Sequence, residues 1–293
     1  MPTSSTADRL RIIAAATLFS TGGAAIKATA LTGWQVASFR SGLAALAVFL
    51  FVPAARRSWT WRVGLVSVVY AATMVLFVVS NKATTAANAI FLQSTAPLYI
   101  LLLAPWLLKE RPRRSDYVTI AALAVGLALV VMGLPPAVAT APNPALGNVL
   151  ALLSGVTWAL TLMGLRWLGS GEDGEGATMS TVVGGNALAF LVCLPAALPV
   201  AAVGAADIAT ISYLGLVQIG LAYVLMTRGI SGVPAVEASM LLLLEPALNP
   251  IWAWLVHGEE PGVLPLLGGA VILAAMVLRA RQGAEVTRTA QAE

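Results

Sequence analysis

The chain has 293 residues, of which 59% are hydrophobic and 10% charged, whereas a soluble domain carries about 45–50% apolar and about 25% charged residues. So few charges cannot cover a water-facing surface, so apolar a chain is not disordered, and 16 prolines and 26 glycines without a period exclude a collagen-like or low-complexity chain. The net charge of +4 would in a soluble protein suggest nucleic acid or an anionic surface, but the cations gather in short loops, a topology signal that leaves a polytopic helical membrane protein with no nucleic-acid partner.

A hydrocarbon core of about 30 Å takes about 20 apolar residues per helix. Ten such stretches follow one another, at 11–30, 34–52, 62–81, 86–107, 115–133, 146–168, 178–198, 208–228, 235–256 and 263–281. Turn chemistry separates them: Pro53, Pro112, Pro135-Pro136, Pro142 to Pro144, Gly169 to Gly176, Pro199, Gly232 to Pro234 and Pro261-Gly262. The first stretch has signal-peptide features, with Arg9 and Arg11 before it and Ala28-Thr29-Ala30 at its end. Its length, the interrupting Lys27 and the nine helices that cleavage would leave favour a retained span. Cys193 reads as a small core residue. With His257 the only histidine, no zinc site can be built from nitrogen and sulfur ligands, and no cofactor is expected.

Orientation follows from the loop cations. With the N-terminus in the cytoplasm, the inside segments hold Arg9, Arg11, Arg56, Arg57, Arg62, Lys109, Arg111, Arg113, Arg114, Arg166, Arg228, Arg279, Arg281 and Arg288, which is 14 of the 17 Lys and Arg. The outside segments hold Lys82, and Lys27 and Arg40 lie within spans. The expectation is a multi-pass protein of a bacterial inner (plasma) membrane with both termini cytoplasmic.

Shifting the chain on itself by 149 residues lays 86–112 on 235–261 without a gap. Asn88-Ala89 meets Glu237-Ala238, Leu92 meets Leu241, Pro97 meets Pro246, Glu110 meets Glu259 and Pro112 meets Pro261. A weaker match at an offset of 139 lays Phe19 and Lys27 on Trp158 and Arg166. Each half then has five spans, and an odd number inverts the second half. The charged loop Lys109 to Arg114 is inside, and its copy, Gly258-Glu259-Glu260-Pro261-Gly262-Val263, has no cation and is outside. The expected fold is an all-α membrane protein of ten transmembrane helices, two inverted five-helix repeats around a central cavity, a recurring plan of alternating-access carriers. The repeats are 1–133 and 146–282, with an extracytoplasmic linker at 134–145 and a cytoplasmic tail at 283–293.

The run Ala86-Ala87-Asn88-Ala89-Ile90-Phe91-Leu92-Gln93-Ser94-Thr95-Ala96-Pro97, then Lys109-Glu110-Arg111-Pro112, resembles the drug/metabolite transporter superfamily in its ten-helix EamA-type branch. The repeat of this run through Ala238, Leu241 and Glu245-Pro246 to Gly258-Glu259, and Trp158-Ala159, carry the resemblance over about residues 10–282. Phe19-Ser20 stands where the family often has Trp-Gly. Within the branch the chain looks most like the bacterial aromatic amino acid exporters (YddG-type). The resemblance implies a ten-helix basket that exports amino acids or related metabolites, is not an enzyme and hydrolyses no nucleotide.

Depth at 1.5 Å per residue places Glu245 about 15 Å into the ninth stretch. An ionisable group there is a functional candidate, as a proton-coupling site or a partner for a substrate ammonium; the alternative is a protonated acid bonding a neighbouring helix. Pro97, Pro105, Pro246 and Pro250 each remove a backbone bond and can kink a helix, and the register of Pro97 with Pro246 suggests gating. Ser20, Thr21, Gln93, Tyr99, Trp158, Asn186, Gln218, Tyr223, Asn249 and Trp252 share the central layer. They suit either a cavity for an amphipathic zwitterion or interhelical glue. Gln93, Tyr99, Trp158, Gln218, Tyr223 and Asn249 are the substrate-binding candidates, with an aromatic side chain against Trp158, Tyr99 and Tyr223. Lys27 and Arg40 are expected to snorkel. Gly126, Gly133, Gly268 and Gly269 permit close helix approach within the protomer, which is a monomer or a weak dimer.

Other function classes fit the same residues less well. Gly229-Ile230-Ser231-Gly232 spells an intramembrane serine-protease motif, but its only possible histidine, His257, lies about 26 residues and one span away. A channel would show charged rings or a filter sequence. A nucleotide-sugar carrier would need several intramembrane cations for diphosphate. The reading is a secondary exporter of amino acids, with drug, nucleotide-sugar or other metabolite carriage as the alternative.

Overall fold

A computed structural model describes residues 6–107, 114–133, 136–169, 171, 173–201, 203–230, 233 and 241–290. The helices are α1 (Thr6–Ser20), α2 (Gly22–Ala28), α3 (Gly33–Phe51), α4 (Trp61–Ala83), α5 (Ala86–Gln93), α6 (Ala96–Leu107), α7 (Arg114–Met132), α8 (Pro144–Gly169), α9 (Gly174–Ala197), α10 (Ala205–Ser212), α11 (Ala222–Ile230), α12 (Leu244–His257) and α13 (Val263–Ala290). A π-helical segment, Tyr213–Leu221, joins α10 to α11. Among the described residues there is no strand, only an isolated bridge between Val138 and Ala141.

Six helical stretches are long and apolar enough to cross a bilayer: Gly33–Phe51, Trp61–Ala83, Ala86–Leu103, Pro144–Gly169, Gly174–Ala197 and Ala205–Met226; Tyr117–Met132 and Val263–Leu278 are shorter apolar helices. The expected first span is two helices, α1 and α2, and the expected ninth is described from Leu241 onward. The segment 283–290, read as a tail, continues α13. Ser231, Lys109, Glu110, Pro112 and Glu237 lie outside the described residues.

The exterior is apolar, and the polar side chains are buried among the hydrophobic ones of the core. Leu46, Phe49, Leu50, Leu65, Val68, Leu191, Val192, Leu255 and Leu267 are exposed, while Ser38, Arg40, Ser41, Thr73, Asn81, Asn186 and Asn249 are buried. Lipid accommodates the first set, and only neighbouring helices can satisfy the second. Bonds such as Thr73 Oγ1 to Thr161 Oγ1 at 3.2 Å contribute about 0.6 kcal/mol each.

The main packing pairs are α4 with α8 and α9, α3 with α9 and the π segment, α7 with α13, α1 with α11 and α12, α2 with α12, and α5 with α8 and α12. In the α7–α13 pair, a Cβ on Gly126 would lie 2.8 Å from the Gly268 carbonyl and one on Gly268 would lie 2.5 Å from the Gly126 carbonyl. The expected close approach is therefore an internal one, and any larger residue would push the helices apart.

Local chemistry decides where helices stop. Ser20 and Thr21 hydroxyls donate to the carbonyls of Thr17 and Leu18, each at 2.7 Å, which competes with the backbone ladder. Two weak helix formers, Gly22 and Gly23, follow, and the helix breaks at Thr21. Thr95 repeats the device on Leu92 at 2.5 Å, and α5 stops at Gln93 before α6 restarts at Ala96. Leu243, which the 149-residue shift lays on Ser94, is again a turn before α12.

This corrects the expectation of mid-helix kinks at Pro97 and Pro246. Each lies in the first turn of a restarting helix, where a missing donor costs nothing. The bond Pro97 cannot make is the one to the carbonyl of Gln93, across the break. Pro250 does lie inside α12.

The two ends of the bundle differ. Bonds between Gln35 and Ala197, Thr84 and Asn148, Ala86 and Glu259, and Thr29 and Asp207 gather the C-terminal ends of α2, α4, α9 and α12 with the N-terminal ends of α3, α5, α8 and α10. At the other end Trp61 and Arg62 at the start of α4 meet Trp167 near the end of α8, and Ser180 on α9 donates to the carbonyl of Ala55 at 3.0 Å. Arg56, Arg57, Arg62 and Arg166 lie at this second, basic end.

Candidate functional site

The broken helices meet at mid-depth. Trp252 Nε1 on α12 donates to Ser20 Oγ at 2.9 Å, and Thr21 Oγ1 bonds Tyr213 Oη, at the head of the π segment, at 2.7 Å. Gln218 Nε2, within that segment, donates to the carbonyl of Phe19 at 3.3 Å. A Cβ on Gly22 would lie 2.7 Å from Gln218 Nε2, and one on Gly23 would lie 2.5 Å from Asn249 Oδ1. The two glycines therefore admit the amides of Gln218 and Asn249 against the backbone of α2. Gln218 Oε1 and both amide atoms of Asn249 are buried without a partner. Such orphaned groups are costly in an apolar interior, and among the described residues this layer keeps three of them.

The expected site residues divide between two places. Gln218, Tyr223, Asn249 and Glu245 belong to this layer. Glu245 sits in the first turn of α12, half-buried, and its charge faces the phenol of Tyr223. Gln93 instead donates through Nε2 to Ser154 Oγ on α8 at 2.7 Å, the glue reading. Tyr99 packs beside Gly155, where a Cβ would lie 3.2 Å from its ring, and Trp158 is half-buried on the same helix. Among the described residues no ring contact joins Tyr99 or Trp158 to Tyr223. Tyr223 pairs with Phe19 at 5.2 Å and with Tyr70 at 5.9 Å between centroids.

Arg40 does not snorkel. It is 2% exposed, about 10 Å along α3, and its electrostatic neighbours are Tyr70 and Tyr223. Behind it Asn186 Nδ2 donates to Tyr70 Oη at 3.2 Å. Lys27 does not snorkel either. Its Nζ lies 3.1 Å from Glu259 Oε1, both side chains nearly inaccessible, and donates to the carbonyls of Thr84, at 2.7 Å, and Thr140. The amide of Ala86 donates to Glu259 Oε2 at 2.7 Å. Gly258 makes this possible, since its φ of +63°, strained for other residues, ends α12 and turns Glu259 inward. Lys82 adds a bond to the carbonyl of Thr29 at 2.6 Å.

Sequence reasoning did not connect Phe19, Tyr70 and Tyr213 with this layer, nor Lys27 with Glu259. The available signal for the ion pair was that a cation inside a span needs a carboxylate at the same depth.

The chain matches the model of the EamA-like transporter family over residues 10–132 and 145–280. No curated protein matches it. A solved crystal structure is similar over 95% of this chain and 99% of its own, with 19% identity and a TM-score of 0.61, a likeness of fold.

Proposed function

Because the chain belongs to the EamA-like transporter family, we propose that this membrane transporter is a secondary exporter of amino acids, aromatic or large apolar ones, and of related small metabolites. The observation that carries the reading is the central layer, where the breaks at Thr21 and Leu243 meet orphaned amides of Gln218 and Asn249 beside a carboxyl group, Glu245. Non-helical backbone at membrane depth is tolerated where it is enclosed by protein or lines a cavity, and broken helices at the midplane are where carriers bind substrate. Glu245 would face the substrate ammonium or take up a coupling proton, and Gln218 and Asn249 supply donors and acceptors. The ring of Tyr223, packed with Phe19 and Tyr70, supplies apolar wall here, and the substrate side chain would extend from it toward Trp158 and Tyr99.

An inverted-repeat, alternating-access scheme is supported by the packing. With five spans per half, α4 packs on α8 as α11 packs on α1; α4 meets α9 as the π segment meets α3; and α5 meets α8 as α12 meets α1 and α2. The pairs α3–α9, α7–α13 and α5–α12 each join an element to its own counterpart. The Lys27–Glu259 pair then closes the end away from the arginines, and by the distribution of those arginines that end faces outside a bacterial inner membrane. A nucleotide-sugar cargo is disfavoured, since Glu259 neutralises Lys27 and leaves Arg40 alone to meet a diphosphate.

The test is counterflow in proteoliposomes loaded with unlabelled Trp, Phe, Met, Thr or a UDP-sugar, with and without a pH gradient. Accumulation of labelled Trp, Phe or Met is the expected result. Accumulation with the UDP-sugar alone, or with none of these, would overturn the amino acid reading.

A further inference from the structure

Arg40 is a cation held inside the bundle, and among the described residues no carboxylate pairs with it. Arg11 pairs with Asp8 and Lys27 with Glu259. Among the described residues the Nη2 of Arg40 reaches the Met74 carbonyl, at a long 3.4 Å, and Met74 Sδ at 3.9 Å, and its Nε is buried with no partner. A guanidinium has five N–H donors in a planar fork that matches a carboxylate, and here the Nε–H is unspent and Nη2 has only long contacts to Met74. A charge left so is expensive, and inside a membrane span it marks a functional position.

The position of Arg40 says what it is for. The backbone of Arg40 packs on the π segment, where a Cβ on Gly215 would lie 2.7 Å from its carbonyl, and Tyr223 has both Arg40 and Glu245 among its electrostatic neighbours. Tyr223 also stacks edge-on against Phe19, the residue before the Ser20–Thr21 break. A cation and a carboxyl group therefore share one phenol as neighbour beside the central layer. Those are the charges a zwitterion presents in reverse. We infer that Arg40 is the anchor for the substrate's carboxylate, with Glu245 at the ammonium end and the Tyr223 hydroxyl between them. The carboxylate supplies the counter-charge that the protein withholds, so the guanidinium is paired only when cargo is bound, and amines or esters without a carboxylate are refused. This rests on the amino acid reading above.

Proteoliposomes showing counterflow of a labelled amino acid are challenged with three derivatives of the same side chain: the methyl ester, the decarboxylated amine and the deaminated acid. Wild type is expected to be inhibited at least 10-fold more weakly by the ester and the amine than by the parent amino acid. Arg40→Met should lower affinity for the amino acid and the deaminated acid on the order of 10- to 100-fold, the scale of charged hydrogen bonds, and leave ester and amine affinities unchanged. Arg40→Lys, which keeps the charge and loses the fork, should lie between and serves if the Met variant does not fold. Equal inhibition of wild type by acid and ester, or a Met variant that keeps the preference, would overturn the proposal. If wild type carries no amino acid, thermal stabilisation of the purified protein by the same acids and esters separates the two ideas. Acid-selective stabilisation lost in Arg40→Met upholds the anchor while the amino acid reading falls; its absence ends both.

Discussion

At the scale of single residues, the interior is organised by what each polar group lacks. Thr73, Thr161, Gln93 and Ser154 satisfy one another and serve as glue. Asn249, Gln218 and Arg40 keep unbonded atoms, and Glu245 faces only a phenol. The charged or titratable groups around Glu245 are Tyr223 on α11 and, beyond it, Arg40 on α3 and Tyr70 on α4. Glu245→Gln keeps the shape and removes the proton site. It should flatten the response of counterflow to a pH gradient and also weaken exchange at equal pH, because the ammonium loses its carboxylate. A response identical to wild type would take Glu245 out of the coupling role.

Among elements, the informative feature is the discontinuity. Helices α5 and α6 part at Ser94–Thr95 and α12 starts after a turn at Leu243, positions in register under the 149-residue shift. Prolines follow each break in the first helical turn, where their missing donor removes no helical bond. Pro97→Ala and Pro246→Ala should therefore cost under about 1 kcal/mol in unfolding measured in detergent, against about 3 kcal/mol or more gained or lost around a proline within a helix. They should slow transport instead, because an added donor can bridge the break and stiffen a joint. Variants with unchanged transport would show that the breaks are fixed rather than moving parts.

For the whole molecule, the Lys27–Glu259 pair ties α2, the loop after α12, the start of α5 and the loops holding Thr84 and Thr140 into one closure. Removing one partner of a buried pair leaves an uncompensated charge and destabilises by about 3–5 kcal/mol. Lys27→Met should therefore lower stability, and the double variant with Glu259→Met should recover much of it. In a background of Cys193→Ala, a cysteine placed at Asn249 should react slowly with an impermeant maleimide added from the Lys27 side, and much faster once Lys27 is Met. Equal rates would mean that the pair does not close this end.

The sequence by itself determined the membrane class, because composition and run length are sums over residues. It also put Gln218, Asn249 and Glu245 at a common depth, because depth is a count along a helix, and it aligned Pro97 with Pro246 under the 149-residue shift. Counting along a helix cannot say which way around its axis a side chain faces. Arg40 and Lys27, read as snorkelling, turn inward, and Gln93 and Gln218, read alike, end as glue and as an orphaned amide. Nor can it say where a helix breaks, since Ser20 and Thr21 stop α1 only because their hydroxyls take carbonyls that the ladder would use. Those outcomes are decided by which neighbours meet a group in a medium without water, and only the tertiary structure brings Glu259 to Lys27, Asn249 to Gly23 and two tyrosines to Arg40.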